Sequence, residues 1–315
     1  MIIFRKPNFW NKDNPNIISL LLIPLTFPLH ISNFFLNKFK RTPSKKIYSI
    51  CVGNIYVGGT GKTPTTIKLF EMLKKIYKKV TTAKKFYYSQ SDEINLLKKK
   101  TNFLTSKDRP EIIKNAIKKG FKIIIFDDGL QDKNIDYNLK IVCFDTLSWI
   151  GNNQLIPAGP LREKINSLKK YDVVFLKNIS KKNNKIIKLI KTINPKIKIF
   201  NTKYIITNLN KFNLKKKYIV FSGIGNPDSF RAFLKINKFN IIDHIIFPDH
   251  YKYKKNDIEL IKKRAKKLKA KIITTEKDFV KISEIDNHNI DFIEVDLDFG
   301  DQEELKKFLK SKLYD

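Results

Sequence analysis

The chain has 315 residues, which suits two domains of ordinary size, each with its own hydrophobic core. A hydrophobic content of 42% with 12% aromatic residues excludes an intrinsically disordered protein. Lysine and arginine number 63 against 30 aspartate and glutamate residues, and the net charge of +33 favours polyanionic partners such as nucleic acid, an anionic membrane surface or phosphorylated substrates. The basic residues are scattered along the chain, so charge alone does not separate a specific partner from a general enrichment in lysine.

The first distinct feature is a run without charged side chains at residues 17–37, as long as the roughly 20 residues that span a bilayer. Pro24 and Pro28 interrupt this run, and proline disrupts helical hydrogen bonding. Trp10 precedes the run and basic residues follow it from Lys38 onward, which is typical of an interfacial helix at an anionic membrane surface. The pattern predicts a membrane-associated segment at residues 1–40, with a buried helix and a true span as alternatives.

A glycine-rich segment follows, between an apolar predicted strand at residues 50–52 and a predicted helix that begins near Thr65. In such a loop, backbone N–H groups and the helix N-terminus face phosphates, the lysine reaches the β- and γ-phosphates, and the threonine hydroxyl ligates Mg²⁺. Tyr56 stands where the strict pattern has its first glycine, so Gly58 and Gly59 must form the turn. The sequence predicts ATP or GTP binding by Tyr56, Val57, Gly58, Gly59, Thr60, Gly61, Lys62 and Thr63.

Cys51 and Cys143 are the two cysteines, and each lies in an apolar predicted strand. This pattern predicts reduced, buried thiols in a cytosolic protein and argues against a disulfide framework or a cysteine metal site.

Two consecutive acids, Asp127 and Asp128, follow the apolar run 121–126 and come about 65 residues after Lys62. In phosphate-loop enzymes an acid at the tip of a neighbouring strand holds Mg²⁺ or its waters. Because adjacent carboxylates repel, a cation or a helix terminus is expected to compensate them. The sequence predicts that Thr63, Asp127 and Asp128 form a Mg²⁺ site, with a turn-capping aspartate as the alternative.

Strands alternate with helices along the remaining chain, which predicts a parallel sheet with helices on both faces. Residues 91–93 are expected in a polar loop, and the irregular stretch 151–160 is expected to mark a domain junction. The predicted fold class is therefore α/β, with a P-loop NTPase-like sheet domain at 41–150 and a second α/β domain at 151–315. The last helix can pack back on the first domain.

The second half contributes further candidate residues. Arg162 follows a loop rich in proline and glycine and can clamp a phosphate through two parallel hydrogen bonds, or form a surface pair with Glu163. Asp249 precedes His250 after an apolar run, and a carboxylate beside a histidine can tune it for general acid–base chemistry, although a plain loop histidine fits equally well.

Taken together, these segments resemble the tetraacyldisaccharide 4′-kinase family, the lipid A 4′-kinases. The resemblance rests on six segments in order: residues 52–64, Asp127-Asp128-Gly129-Leu130-Gln131, residues 155–163, Gly223-Ile224-Gly225-Asn226-Pro227, Phe247-Pro248-Asp249-His250, and residues 275–281.

The resemblance implies ATP- and Mg²⁺-dependent phosphorylation of the 4′-hydroxyl of tetraacyldisaccharide 1-phosphate, which forms lipid IVA. It also implies an active site in the cleft between two α/β domains at the cytoplasmic face of the inner membrane, and we expect a monomer without a nucleic-acid partner. Asp92 would be the base that deprotonates the sugar hydroxyl, paired with His250, and Lys62 would neutralise the β- and γ-phosphates. Glu93, Arg162 and Glu163 would lie on the substrate side.

Some positions depart from the family pattern. Ala83-Lys84-Lys85-Phe86 stands where the family has Ser-Arg-Gly-Tyr, Ser91 and Ile94 flank the acidic pair in place of Gly and Pro, and Asp132 replaces a histidine. Two alternative functions are a membrane-associated P-loop ATPase of the partitioning type and a nucleic-acid-binding NTPase. Val57 stands where partitioning ATPases have a signature lysine, and only the net charge favours nucleic acid.

Overall fold

A computed structural model describes residues 7–28, 43–132, 134–177, 183–249, 251–283 and 285–314. Its strands are β1 Tyr48–Gly53, β2 Val80–Lys85, β3 Phe103–Ser106, β4 Ile123–Asp127, β5 Leu139–Asp145, β6 Val173–Lys177, β7 Lys198–Ile206, β8 Lys217–Ser222, β9 Asn240–Ile246, β10 Lys271–Thr275, β11 Ile290–Ile293 and β12 Val295–Phe299. Its α-helices are α1 Ile17–Leu22, α2 Lys62–Lys74, α3 Ser91–Lys100, α4 Arg109–Lys118, α5 Asn183–Ile193, α6 Pro227–Ile236, α7 Lys255–Lys267, α8 Glu276–Ile282 and α9 Gln302–Tyr314.

The chain divides into two compact units. The large unit contains Lys6–Tyr87, Leu97–Lys203 and Leu297–Asp315, and the small unit contains Tyr88–Leu96 and Tyr204–Asp296. The first turn of α3, with Asp92 and Glu93, therefore belongs to the small unit, whereas the last helix, α9, belongs to the large one.

The large unit is built on an eight-stranded sheet with the order β12-β7-β6-β5-β1-β4-β2-β3. The seven strands from β7 to β3 pair in parallel, which confirms the predicted parallel sheet. Apolar side chains are buried on both faces: Cys51 and Phe126 lie on one face, in a cluster with Ile124, and Ile50, Val52 and Ile125, which point to the other face, are also fully buried. Burial on both faces explains why these strands are near-continuous apolar runs in the sequence.

The small unit has a four-stranded parallel sheet with the order β11-β10-β8-β9. Successive residues of β8 point to opposite faces, so Ile219 and Phe221 pack in one apolar cluster while Tyr218 and Val220 pack in another. Helix α7 contributes Ile258 and Ile261 to the first cluster, and α6 contributes Leu234 to the second. The second half of the chain is thus α/β, as its alternating pattern predicted.

The boundary between the units differs from the expected domain junction near residue 150. Strands β5 and β6, on either side of that stretch, are parallel neighbours in the same sheet, with Ile141 opposite Val173. The stretch 151–160 is therefore a connection within the large unit, and the chain leaves that unit after Lys203. Turn-forming residues are common to both kinds of connection, which is why composition alone misplaced the junction.

Residues 91–93, expected in a polar loop, begin helix α3 instead. Asp92 and Glu93 occupy its first turn, and Lys98, Lys99 and Lys100 occupy its last turn. This distribution favours a helix because acids interact well with the positive N-terminal end of the helix dipole and bases with its negative C-terminal end.

Near the N-terminus, Asn16 caps α1 by accepting a hydrogen bond from the Ser19 backbone N–H, and a 3₁₀ turn follows at Ile23–Thr26. Among the described residues no helix is long and apolar enough to cross a membrane. The predicted run continues into residues 29–37, which lie outside the described part of the chain. Its association with a membrane stays a prediction.

Candidate active site

The glycine-rich loop connects the end of β1 to the start of α2. Gly58 and Gly61 have positive φ angles of 133° and 86°, a region that favours glycine. Of the two glycines that were expected to form the turn, Gly58 has this conformation, whereas Gly61 takes the place expected for Gly59. The Asn54 side-chain amide holds this turn by donating to the Gly58 carbonyl at 3.3 Å and to the Thr60 hydroxyl at 3.1 Å. Helix α2 then begins at Lys62, which places that side chain and Thr63 at its N-terminus.

Tyr56 has a different position from the rest of the loop. Its ring lies in an apolar cluster of the large unit that includes Phe144 and Leu161, and burial raises the pKa of Tyr56 to about 12. The side chain is thus part of the core, and the predicted phosphate contact at this position is confined to its backbone.

Thr63 and Asp127 are brought together by the order of the strands. Val52 of β1 is paired with Asp127 of β4, so the loop and the acid lie at the same carboxyl edge of the sheet. The Thr63 hydroxyl donates a hydrogen bond of 2.9 Å to Asp127 Oδ2. Lys84 of β2 also contacts this oxygen through Nζ at 2.9 Å. The sequence showed Lys84 as a departure from the family pattern, but its contact with Asp127 was not predicted.

Asp128 is surrounded by positive charge. Its Oδ2 lies 4.0 Å from Lys62 Nζ and 3.4 Å from an Arg162 guanidinium nitrogen. Burial alone would raise the pKa of Asp128, but the charges of Lys62 and Arg162 outweigh that effect and hold the pKa well below its usual range. The predicted residues Lys62, Asp128 and Arg162 therefore form one cluster in the large unit.

Arg109, at the start of α4, supports this cluster and was missed in the sequence. Its guanidinium donates to the Asp128 backbone carbonyl at 3.0 Å and forms a buried ion pair with Asp132. Asp128 has a positive φ of 67°, which is uncommon for a residue with a side chain. The contacts of Arg109 stabilise this turn. Asp132, unusual for the family, was the signal that a buried cation lay nearby.

Glu163 lies inside the large unit. It is only 5% exposed, and its carboxylate accepts hydrogen bonds of 2.7 Å from the Gln131 amide and from the Tyr171 hydroxyl. Gln131 in turn donates to the Asn54 carbonyl at 2.9 Å. These bonds connect Glu163 through Gln131 to the start of the glycine loop. Such a buried position suits a residue that supports the loop better than one that contacts the substrate, which was the prediction.

The small unit holds the other predicted acids. Asp92 and Glu93 lie 3.1 Å and 3.5 Å from Nζ of Lys277, the second residue of α8. Asp249, which follows β9, lies 3.7 Å from the same nitrogen. His250 lies outside the described residues, so the predicted pairing of His250 with Asp92 stays a prediction.

Two sequence segments of the small unit meet at the carboxyl ends of β8 and β10. Asp278, fully buried, accepts hydrogen bonds from the Gly223 backbone N–H at 3.0 Å and from the Thr275 hydroxyl at 2.8 Å. A side chain on residue 223 would crowd this arrangement, because a Cβ there would lie 3.0 Å from the Tyr253 hydroxyl and 3.3 Å from the Asp278 carboxylate. The first glycine of Gly223-Ile224-Gly225-Asn226-Pro227 therefore favours close packing.

The cysteines are free and buried, as predicted, and burial raises the pKa of both thiols. In the described part of the chain there is no group of three or more His, Cys, Asp or Glu side chains that could hold a metal ion. The Mg²⁺ site at Thr63, Asp127 and Asp128 stays a prediction.

Comparison with known proteins places these features in a family. The family model described as tetraacyldisaccharide-1-P 4′-kinase matches residues 20–314. A tetraacyldisaccharide 4′-kinase of Pelagibacter ubique is 44% identical over 304 residues, which cover 96% of each chain. The enzyme of that name from Rickettsia canadensis is 34% identical, and the match covers 100% of both chains.

The fold is also similar to that of a solved structure. A crystal structure of LpxK from Aquifex aeolicus in complex with ATP has a TM-score of 0.66 at 22% sequence identity, and the match covers 95% of this chain and 100% of that one. By its family match and its relatives, the chain belongs to the tetraacyldisaccharide-1-P 4′-kinase family.

Proposed function

We propose that the protein transfers the γ-phosphoryl group of ATP to the 4′-hydroxyl of tetraacyldisaccharide 1-phosphate and so forms lipid IVA. One observation carries this proposal beyond family membership: Lys62 and Thr63 begin a helix after a glycine loop, and Thr63 is bonded to the acid at the tip of the neighbouring strand. This arrangement is the phosphate-binding part of a phosphoryl-transfer enzyme. Family membership disfavours a partitioning ATPase or a nucleic-acid-binding NTPase.

Mg²⁺ fits the residues at the end of the loop. The Thr63 hydroxyl and the Asp127 carboxylate lie side by side, and the Asp128 carboxylate is adjacent in sequence. Hard oxygen donors of this kind suit Mg²⁺, which takes one or two carboxylates together with phosphate oxygens and waters. When bound, the ion neutralises charge on the β- and γ-phosphates. Lys62 would add a second positive charge there.

Within the proposed reaction, Asp92 is the base that accepts the proton of the sugar hydroxyl, with His250 as its partner. Proton transfer from a hydroxyl requires a carboxylate that is ionised beforehand. The neighbouring ammonium groups of Lys277 and Lys281, at 3.1 Å and 3.7 Å from Asp92, favour that state. Arg162 is the candidate for binding a phosphate of the acceptor, since its guanidinium is 32% exposed beside Asp128.

We further propose that the enzyme works as a monomer at the cytoplasmic face of the inner membrane, held there by its N-terminal segment. The α1 region turns a polar residue inward: the buried Ser19 hydroxyl donates to the Ala158 carbonyl at 2.6 Å. Its apolar side chains are exposed instead, which suits contact with hydrocarbon. The exposed side chains are Ile17, Ile18, Leu20, Leu21, Ile23, Leu25 and Phe27.

The test is a transfer assay with radiolabelled ATP, Mg²⁺ and detergent-dispersed tetraacyldisaccharide 1-phosphate. The intact protein should label the lipid, and Lys62→Ala should abolish labelling because the phosphate charge is no longer neutralised. Lys68→Ala is a matched control, since Lys68 lies on the same helix, after its first turn, and pairs with Glu71 at 3.8 Å. Equal labelling by the Lys62→Ala protein would reject the phosphate-loop mechanism.

A further inference from the structure

Lys277 occupies the centre of a cluster of carboxylates in the small unit. Its Nζ lies 3.1 Å from Asp92, 3.5 Å from Glu93 and 3.7 Å from Asp249. These acids come from two different elements, the first turn of α3 and the segment after β9. A single ammonium group therefore lies within 4 Å of three carboxylates that come from two distant segments of the sequence.

The charge of Lys277 is stable in this position. Burial alone would lower its pKa, but the carboxylates of Glu93, Asp249 and Asp92 outweigh burial and raise the pKa above its usual range. Lys281, four residues later on the same face of α8, lies 3.7 Å from Asp92 and 3.1 Å from Asp278. Lys281 therefore pairs more closely with Asp278 than with Asp92, and Lys277 is the nearer of the two cations to Asp92.

The start of α8 is held rigidly, which fixes the direction of Lys277. Thr275 caps the helix by accepting a hydrogen bond of 3.1 Å from the Asp278 backbone N–H. The Asp278 carboxylate is itself bonded to the Gly223 backbone N–H. These bonds attach the first turn of α8 to the end of β8, so Lys277 starts from a backbone position that is set by the sheet.

We propose that Lys277 is a positioning residue for phosphoryl transfer: it orients the Asp92 carboxylate and keeps it ionised among neighbouring acids. The inference rests on the proposed function, in which Asp92 accepts the proton of the acceptor hydroxyl. It adds a role for the segment Thr275-Glu276-Lys277-Asp278, which the reaction scheme above leaves without one.

The charge balance gives the direction of the effect. Several groups of the small unit surround Asp92 or its partners: Lys277, Lys281 and Asp278 on α8, Glu93 on α3, Asp249 after β9, and the neutral Tyr253 hydroxyl. Without Lys277, the carboxylates of Glu93 and Asp249 lose a cation that they share with Asp92, and Lys281 remains as a described cation within 4 Å of Asp92. Like charges favour the protonated acid, so the pKa of Asp92 should rise and the fraction able to accept a proton should fall at low pH.

The experiment measures kcat/KM for lipid phosphorylation from pH 5.5 to 9.5 in the intact protein and in Lys277→Met. We expect the acidic limb of the Lys277→Met profile to move upward by about one pH unit, which corresponds to an additional loss of about tenfold at the acidic end. Lys277→Arg should retain the limb of the intact protein. Lys262→Met is the control, because Lys262 lies on α7, not on α8, and pairs with Asp286 in the segment after α8. Protonation of ATP affects every variant equally.

A compensating substitution separates this role from simple structural support. Asp249→Asn in the Lys277→Met background removes one of the like charges, and we expect the acidic limb to return part of the way. Lys277→Gln, which retains a hydrogen-bond donor without the charge, serves as a second neutral variant and should shift like Lys277→Met. Melting curves and ATP binding verify that each variant is folded.

The outcomes distinguish the two proposals. No labelled lipid from the intact protein would reject the proposed function. If the intact protein labels the lipid but the activity of Lys277→Met and Lys277→Gln falls equally at every pH, the proposed role of Lys277 is rejected and the proposed function is retained.

Discussion

Lys84 Nζ and Asp127 Oδ2 are 2.9 Å apart, and both side chains are almost completely removed from solvent, with exposures of 2% and 0%. Thr63 donates to the same carboxylate oxygen. The acid that the sequence assigns to Mg²⁺ therefore carries a countercharge supplied by the protein itself. Asp127 lies on β4, which is paired on one side with β2, the strand of Lys84, and on the other with β1, the strand that leads into the glycine loop.

Replacing Lys84 tests how strongly the fold depends on this pair. Lys84→Met leaves Asp127 as a buried charge without its lysine, and breaking a buried pair in this way costs about 3–5 kcal/mol of unfolding free energy. Urea unfolding at neutral pH in the absence of Mg²⁺ measures the loss. The double variant Lys84→Met/Asp127→Asn should be more stable than Lys84→Met, because the unpaired charge is gone. A Lys84→Met protein as stable as the parent would contradict the importance of the pair.

Asp128 should make stability depend on pH in a defined window. The pKa of Asp128 is lower in the folded protein than in the unfolded chain, where it is about 4. The contribution of Asp128 to the unfolding free energy is therefore fully present above about pH 4 and is lost as the pH falls through the folded-state pKa. Asp128→Asn should therefore lower the unfolding free energy at pH 7 and flatten its decline below about pH 4. Urea unfolding at a series of pH values provides the comparison. Parallel curves for the two proteins would show that Asp128 is not stabilised by Lys62 and Arg162.

The exposed apolar side of α1 should bind membranes. Leu21 is 74% exposed, and Leu21→Asp removes apolar area that would be buried in the bilayer, so binding to anionic liposomes should weaken about tenfold or more. Deletion of residues 1–36 should weaken it further. Ile236→Asp is the control, because Ile236 is equally exposed but lies in the small unit. Equal cosedimentation of the parent, Leu21→Asp and the deletion variant would reject the proposed anchor.

The proposed base gives a separate kinetic prediction. Asp92→Asn keeps the size of the side chain but removes its ability to accept a proton, so kcat should fall by a factor of about 10² to 10⁴. ATP binding should be unchanged, because the predicted nucleotide contacts lie on the glycine loop. Single-turnover transfer and calorimetric ATP binding measure the two quantities. Turnover near that of the parent would assign the proton to another group.

Local patterns in the sequence sufficed for several parts of this protein. The apolar runs predicted the parallel strands because strands that are buried on both faces are mostly apolar. The glycine-rich segment predicted a turn because glycine favours positive φ angles, although the second such angle is at Gly61 and not at Gly59, where the turn was expected. Motif order then predicted the family, which the comparisons confirmed.

Contacts between distant segments could not be obtained in this way. The order of strands decides that Lys84 reaches Asp127 and that Glu163 joins Gln131 instead of facing outward. It also decides that residues 151–160 connect strands of one sheet. Each of these depends on which strands become neighbours, and local composition does not encode that choice. Lys277 shows the same limit. In the sequence it belongs to a charged segment of the kind that is usually solvated, and only the folded chain brings three carboxylates to its ammonium group. Because these groups are partly removed from water, the charges interact more strongly than they would in solvent.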